Sequence, residues 1–205
     1  LREETLEKVA QGYARLVAWA SLKYNPPKNL KISPIAAIPH KSRGFRMILD
    51  LSHGVTLNRI THPSVNAATR PAVAPTAAMA ELGNVLPRLI YAVATAPDAQ
   101  GPILFSKLDV KDGHWRMVVP LEHEWHFAYV LPKASPDEPT QLVIPSCLQM
   151  GCCDSPSYFC AASETARDVA ETLAAQPMGS LAAHPLEGYL VPPSNWPEDT
   201  LHTST

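Results

Sequence analysis

Apolar residues recur at helical spacing over the first 24 residues, with charged residues between them. They are Leu6, Val9, Ala10, Tyr13, Leu16, Val17 and Ala20. Because this spacing collects side chains on one side of a helix, it predicts an amphipathic helix over residues 1–24. The helix is expected to end at Asn25-Pro26-Pro27, because a residue that precedes proline leaves the α region.

Two strand-like runs follow, over residues 30–38 and 45–51. The segment between them, His40-Lys41-Ser42-Arg43-Gly44, is short, basic and polar. Two short strands around such a glycine-containing loop are typical of a β-hairpin.

The rest of the chain alternates loops with helix and strand signals. After an Ala/Pro/Thr-rich connector, Thr76 is a candidate cap for a helix that Pro87 would kink. Residues 103–110 predict a buried strand, and Ser155-Pro156 opens a helix that runs to about Leu173. Shorter strand candidates lie at 116–120, 127–131 and 142–145.

These elements divide the chain into three parts: the helix 1–24, a main region 25–176, and a Pro/Ser/Thr-rich tail 177–205 without periodicity. Strands and helices mix without the regular alternation of a doubly wound sheet. The predicted fold class is therefore α+β.

Composition narrows the class of protein. Hydrophobic residues make up 46% of the chain and charged residues 18%, whereas an ordinary soluble domain has about 25% charged residues. No apolar run reaches the roughly 20 residues that span a membrane, and Leu1-Arg2-Glu3-Glu4 is unlike a signal peptide. The first methionine is Met47, so we expect a piece of a longer intracellular protein with no membrane partner.

Charge and cysteine content count against other classes. The 17 Lys and Arg against 19 Asp and Glu give a net charge of −2, which disfavours binding of nucleic acid through bulk charge but leaves room for a local basic patch. The cysteines form no Cys-x-x-Cys spacing, which suits neither a disulfide framework nor a zinc site. They are Cys147, Cys152, Cys153 and Cys160.

Three segments carry candidate chemistry. Residues 40–58 place cations on and beside the hairpin turn, where they could neutralise a triphosphate; a solvated turn is the alternative. In residues 105–116, Asp109 is flanked by apolar residues at the end of the strand, so we expect it to point into a cleft as a metal-binding acid, or else to cap the following turn. Residues 145–159 predict a binding ledge, or a plain strand–loop–helix junction.

In this order the segments resemble the reverse transcriptase domain of retroviruses and retrotransposons, over about residues 30–170. The sequences KSRGFRMILDLSHGVTLN, FSKLDVKDGHWRMVVPLEHEWHFAYVLP and PSCLQMGCCDSPSYF look like its fingers motif, first catalytic-aspartate motif and template-grip motif. The branch of LTR retrotransposons is the nearer one. The resemblance implies a partial right-hand polymerase fold, with fingers and an incomplete antiparallel palm sheet with helices.

The implied activity is that of an RNA-directed DNA polymerase, which adds deoxynucleotides to a primer 3′ end by phosphoryl transfer with two Mg²⁺ ions. The implied partners are an RNA or DNA primer–template and a deoxynucleoside triphosphate. The remainder of a parent polyprotein, with the rest of the palm, a thumb and an RNase H region, is a further implied partner.

The resemblance also implies roles for individual residues. Arg46 and Lys41 would contact the triphosphate of the nucleotide. Asp109 would ligate both magnesium ions, and the Val110 carbonyl would touch the nucleotide-bound ion. His114 stands where the family has a Tyr or Phe that stacks under the sugar and excludes a 2′-hydroxyl, so sugar discrimination would differ. The nucleotide and template side of the pocket would be lined by Gln149, Met150 and Gly151.

One element of the family pattern is missing. The third acidic motif of the family, an aromatic residue, any residue and two aspartates, supplies the remaining metal carboxylates, yet no two aspartates are adjacent in this chain. Because hard cations need several charged oxygens, the fragment alone is expected to be inactive. The alternative is a non-catalytic retroelement remnant with at most weak binding of nucleic acid or nucleotide.

Two further alternatives come from other classes. A small metal hydrolase would use His123, Glu124 and His126, but their spacing is not His-Glu-x-x-His, and in an extended strand the two histidines would point to opposite faces. A cysteine nucleophile at Cys147 or Cys152 has no paired base visible in the sequence.

Overall fold

The structure is a computed structural model that describes residues 1–41, 44–70, 74–105 and 109–176. The chain divides into two compact units, one of Leu1–Met79 with Asp109–Ala161, the other of Ala80–Leu108 with Ala162–Thr205. The described residues combine helices with small antiparallel sheets, which confirms the α+β class. The predicted tail, 177–205, lies outside the described residues.

A three-stranded antiparallel sheet lies at the centre of the first unit, in the order β1–β7–β6. Its strands are β1 Ala14–Ala18, β6 Tyr129–Val130 and β7 Gln141–Pro145. Because side chains alternate along a strand, Val143 enters one apolar cluster while Leu142 and Ile144 enter another. The central strand is thus covered on both faces, and the strand predicted at 142–145 is confirmed.

Two β-hairpins complete the strands. The first joins β2 Ile35–His40 to β3 Gly44–Leu49, with His40 opposite Gly44. This confirms the hairpin predicted around the basic turn. The second joins β4 Val55–Leu57 to β5 Ile60–His62.

The chain forms six α-helices in its described part. They are α1 Arg2–Ala10, α2 Trp19–Leu22, α3 Val65–Ala68, α4 Thr76–Gly83, α5 Val85–Thr95 and α6 Ser155–Ala174. Helix α6 begins at Ser155, as the Ser-Pro pair predicts. Short 3₁₀ helices span Asp98–Gln100, Gly113–Arg116 and Glu124–Phe127.

The single helix predicted over 1–24 is wrong beyond Ala10. Gly12 adopts a left-handed φ of 79°. Its N–H donates to the Val9 carbonyl, and the Tyr13 N–H donates to the Lys8 carbonyl, both at 3.0 Å. This pair of bonds is a Schellman motif, which ends α1, and the apolar residues that follow belong to β1 and α2.

The helix predicted from Thr76 is two helices. The break falls at Asn84, between α4 and α5, and not at Pro87 as the sequence predicts. Pro87 is the third residue of α5, where a backbone N–H has no intrahelical acceptor. A proline is therefore tolerated at that position.

The buried strand predicted over 103–110 is wrong in its described residues. Neither 103–105 nor 109–110 is a strand, and Leu104 and Phe105 are 81% and 67% exposed. Apolar side chains are buried only where other elements cover them. No strand pairs with this run in the described part of the chain.

Three other predicted strands are shorter than the sequence suggests. The run 30–38 gives β2, which starts only after Pro34, a residue with no N–H for a ladder. Of the strand predicted over 127–131, only the two residues of β6 form a strand. The run 116–120 holds only an isolated bridge between Val118 and Cys147.

Candidate functional site

The first hairpin brings one predicted nucleotide contact to the third segment. Arg46, on β3, is half-buried, and its guanidinium donates to the sulfur of Met150. Lys41 is exposed at the turn, and its neighbours Ser42 and Arg43 lie outside the described residues. Arg46 and Met150 are therefore neighbours, while Lys41 stands at the tip of the hairpin.

The buried Gln149 side chain bonds to its own segment. Its Nε2 donates to the carbonyls of Cys147 and Leu148 at 2.9 and 3.2 Å. Its backbone carbonyl accepts from the Ser155 hydroxyl at 2.8 Å, at the start of α6. Because both amide N–H groups are engaged, Gln149 joins the strand exit to the helix, and its donors are not available to a nucleotide.

Gly151 allows the loop before α6 to approach β3. Its φ is 101°, and a Cβ at this position would come within 3.1 Å of the Leu49 carbonyl oxygen. Only glycine adopts this φ without strain, and it also leaves room for the carbonyl. The preceding residue, Met150, is 55% exposed. Met150 and Gly151 thus form a ledge beside the hairpin, which is where the sequence predicts one.

Asn66 on α3 holds this ledge, and the sequence analysis missed it. Its Nδ2 donates to the Gly151 carbonyl and to the Ser52 hydroxyl, both at 2.9 Å. Its Oδ1 accepts from the Cys153 N–H at 3.0 Å. The Asn66 side chain therefore forms hydrogen bonds with both a carbonyl and an N–H of the loop before α6, as the backbone of a neighbouring strand would. No local sequence signal announces these contacts, because the partners in the loop lie more than eighty residues away.

The candidate acid Asp109 is exposed, on a stretch without regular structure. This exposure contradicts the expectation that Asp109 points into a cleft; residues 106–108, which precede it, lie outside the described residues. Val110, the other predicted magnesium contact, is 53% exposed. Its carbonyl accepts a hydrogen bond from the Gly113 N–H at 3.2 Å, which closes the turn that follows.

An ion pair anchors this turn to α1. Lys8 Nζ lies 2.8 Å from Asp112 Oδ1, and the Lys8 side chain is only 9% exposed. The Lys8 hydrogen bond lowers the pKa of Asp112, against the opposing effect of burial. The Lys8 ammonium also lies 5.8 and 5.7 Å from the ring centres of Tyr13 and Trp115. Asp112 itself has a left-handed φ of 57°, so the pair fixes an uncommon backbone conformation.

His114 lies against α6. Its ring stacks on Phe159, with 5.3 Å between ring centres and 29° between planes. A Cβ on the adjacent Gly113 would come within 2.6 Å of the Phe159 ring, so glycine allows this approach. Burial lowers the pKa of His114, which favours the neutral imidazole. Its Nδ1 is buried and has no hydrogen-bond partner among the described residues.

The donor atoms around Asp109 do not fit two magnesium ions. The described residues contain no group of three or more His, Cys, Asp or Glu side chains that could hold a metal. Mg²⁺ requires near-octahedral oxygen ligands, and a pair of ions shares several carboxylates. Asp109 does not supply such a set with the carboxylates that the structure describes.

The two histidines of the His-Glu-Trp-His sequence are neighbours. His123 immediately precedes the 3₁₀ helix that contains His126, so the segment is not the extended strand in which the two histidines would point to opposite faces. Residues i and i+3 of a 3₁₀ helix lie on the same side, and the ring centres are 5.5 Å apart. Glu124 is buried and forms an ion pair with Arg15. The three side chains of the predicted hydrolase site therefore do not converge.

Burial disfavours a cysteine nucleophile. Both candidates, Cys147 and Cys152, are buried thiols. Burial raises the pKa of the Cys147 thiol, which disfavours the thiolate, the nucleophilic form.

Comparison with known proteins assigns no family. No protein-family model matches the chain, and no curated protein matches it either. No helix in the described ranges is long and apolar enough to cross a membrane. The functional argument therefore depends on the residues themselves.

Proposed function

We propose that the chain is the fingers and part of the palm of an RNA-directed DNA polymerase of the LTR-retroelement type. In this proposal it binds a deoxynucleoside triphosphate beside the first hairpin and does not extend a primer by itself. The assignment to the family depends on the order of the three sequence segments that resemble reverse transcriptase motifs.

One structural observation supports the proposal most: the third segment contacts each of the other two within the first unit. The fingers-like segment meets the ledge through Arg46 and Met150, and again where Gly151 approaches Leu49. The segment with the candidate acid meets α6 where His114 stacks on Phe159. These contacts between segments far apart in the sequence support the proposal of a shared nucleotide site.

The chemistry of the hairpin suits a triphosphate. A guanidinium forms paired, charge-assisted hydrogen bonds to phosphate, and a lysine adds a mobile point charge. Arg46 lies beside the ledge and Lys41 at the tip, so both can turn to an anion. The bond from Arg46 to the Met150 sulfur is a weak one that a phosphate oxygen would readily replace.

Nucleotide binding tests the proposed site. The assay is titration of the full chain with a fluorescent deoxynucleoside triphosphate. Arg46→Ala is expected to weaken binding at least about tenfold, because it removes a charged hydrogen bond worth roughly 1.5–3 kcal/mol. Arg70→Ala removes one exposed positive charge outside the three segments and is expected to leave affinity unchanged. Equal losses in the two variants would show that net charge, and not this site, governs binding.

Primer extension tests the absence of catalysis. Because the chain has no adjacent aspartates, we expect no magnesium-dependent extension of an RNA-templated primer. Extension that Asp109→Asn abolishes would contradict the proposed inactivity while supporting the polymerase family. Sequencing the parent transcript past Thr205 separates the two interpretations of the family. An in-frame aromatic-x-Asp-Asp followed by thumb-like helices would support a piece of a polymerase, whereas a stop codon or an open frame without that acidic pair would support a remnant.

A second candidate function is a non-catalytic remnant with weak nucleic-acid binding. The exposed Asp109, with no group of three metal-binding side chains among the described residues, favours it. The net charge of −2 predicts few phosphate contacts. Affinity for a primer–template should then fall only weakly with salt, whereas six or more phosphate contacts would give a slope steeper than about −5.

A further inference from the structure

A pair of adjacent imidazoles lies outside the proposed nucleotide site. His123 is exposed and His126 half-buried, and their ring centres are 5.5 Å apart with 36° between the ring planes. His123 is the N-cap of the 3₁₀ helix Glu124–Phe127 and His126 is its third residue. Because residues three apart nearly eclipse one another around such a turn, the two rings lie on the same side. Neither ring has a role in the polymerase proposal.

The backbone under the two rings is fixed by hydrogen bonds. The His126 N–H donates to the His123 carbonyl at 3.1 Å, and the His123 N–H donates to the Pro120 carbonyl at 2.8 Å. The carbonyl of Trp125, between the two histidines, accepts from the Lys31 N–H at 3.0 Å. Both imidazoles therefore project from a turn that is already ordered.

Other side chains of the same helix anchor it to the protein. Glu124 is 6% exposed and forms an ion pair with Arg15, and Phe127 is 6% exposed in the main apolar cluster. The Arg15 guanidinium also lies 5.1 Å from the Trp125 ring centre. With the intervening residues held in this way, the backbone that carries the two histidines needs no rearrangement to bring the rings together.

We propose that His123 and His126 form a two-imidazole site for a divalent transition-metal ion of the zinc class. Imidazole nitrogen is a preferred ligand of Zn²⁺, Cu²⁺ and Ni²⁺. With a metal–nitrogen bond of about 2 Å, each ring centre lies about 3.2 Å from the ion, so two rings at a tetrahedral angle are about 5.2 Å apart. The observed distance of 5.5 Å between the ring centres is close to this value. Zn²⁺, which favours tetrahedral coordination, therefore fits better than an ion that requires a right angle.

The rest of the coordination sphere is open. No third His, Cys, Asp or Glu joins the pair among the described residues, and Glu124 is engaged by Arg15. Water or an added ligand would fill the other positions. The Lys31 ammonium acts electrostatically on His126, so it opposes a cation there. The positive charge of Lys31 should make Zn²⁺ bind more weakly here than at a structural site with four protein ligands, and removing that charge should strengthen the binding.

The test is calorimetric titration of the full chain with Zn²⁺. We expect the wild type to bind one Zn²⁺ ion at this pair. His123→Ala or His126→Ala should weaken this binding at least about tenfold, because the imidazole that remains loses the affinity gained from a second ligand in the same molecule. His53→Ala removes one exposed histidine elsewhere and is the matched control, with unchanged affinity expected. Lys31→Gln is expected to tighten binding.

Cys153→Ser is the control for the exposed thiol and should leave the zinc site intact. Equal weakening by His53→Ala, or loss of the site with Cys153→Ser, would overturn the proposal. If either histidine variant fails to fold, the ring NMR signals of the wild type decide. The signals of His123 and His126 should shift together at the lowest zinc concentration, and an earlier shift of other histidine rings would refute the site.

Discussion

Replacing Lys8 by methionine should destabilise the chain through the turn that follows Asp109. Methionine keeps an unbranched side chain beside Tyr13 and Trp115, so mainly the charge and the bond to Asp112 are lost. Breaking a fully buried ion pair costs about 3–5 kcal/mol, whereas an exposed pair contributes less than about 1 kcal/mol. The side chains of Lys8 and Asp112 are 9% and 23% exposed. The expected loss in the free energy of unfolding therefore lies between these limits, at about 2–3 kcal/mol.

Urea unfolding followed by tryptophan fluorescence measures this loss. Asp112→Asn is expected to cost as much or more, because it leaves the better-buried Lys8 charge unpaired. The variant with both Lys8→Met and Asp112→Asn should lose less stability than the sum of the two single losses, because neither charge is then left unpaired. Strict additivity, or a loss under about 0.5 kcal/mol for Lys8→Met, would refute the inference that this pair anchors the turn.

The same pair predicts a pH dependence with a definite sign. Lys8 holds the pKa of Asp112 below its usual value, so as pH falls the unfolded chain binds the proton first. The contribution of the pair is therefore complete above the unfolded pKa of about 3.9 and is lost as pH falls through the lower, folded value. The difference in stability between wild type and Lys8→Met should be constant near pH 6 and shrink below about pH 4. A difference that widens on acidification would contradict the assignment.

Two substitutions test the ledge. Gly151→Ala should destabilise the chain by about 1–3 kcal/mol, because it adds backbone strain and a close contact with the Leu49 carbonyl. Gly44 also has a positive φ, but a Cβ there would meet no neighbouring atom. Gly44→Ala should therefore cost less stability in the same urea assay. Asn66→Ala should speed hydrogen exchange of the Cys153 amide, which loses its acceptor, and unchanged protection measured by NMR would show that Asn66 does not hold the loop.

Local signals account for the parts of the fold that the sequence predicts. The first hairpin needs only two strand-like runs and a polar, glycine-containing turn, and α6 needs only the Ser155-Pro156 start, so both are confirmed. The first helix is predicted too long for a local reason as well. Gly12 is a helix-stop signal, but the prediction gives more weight to the apolar periodicity that continues past it. Apolar side chains of β1 continue the helical spacing by coincidence, and only pairing with β7 distinguishes a strand from a helix there.

Non-local contacts account for the rest. The run 103–110 is apolar enough for a buried strand, but burial depends on a covering element that the run itself does not encode. The same limit applies to the site. Arg46 and Met150 are candidates by resemblance alone, and the contact between them joins positions 104 residues apart, which no local signal predicts. Asn66 and Lys8 stabilise the candidate site, but no neighbouring residue in the sequence indicates this, because their bonding partners lie far along the chain.

The two halves of the candidate site have separate anchors. Asn66 and the approach of Gly151 to β3 hold the ledge, while Lys8 and the stacking of His114 hold the turn after Asp109. No residue belongs to both sets of contacts. A loss of nucleotide binding in Asn66→Ala therefore reports on the ledge, and the same loss in Lys8→Met reports on the turn. If a triphosphate bridges the ledge and the turn after Asp109, both variants weaken its binding. A triphosphate held by the hairpin alone is affected only by the variant in the ledge.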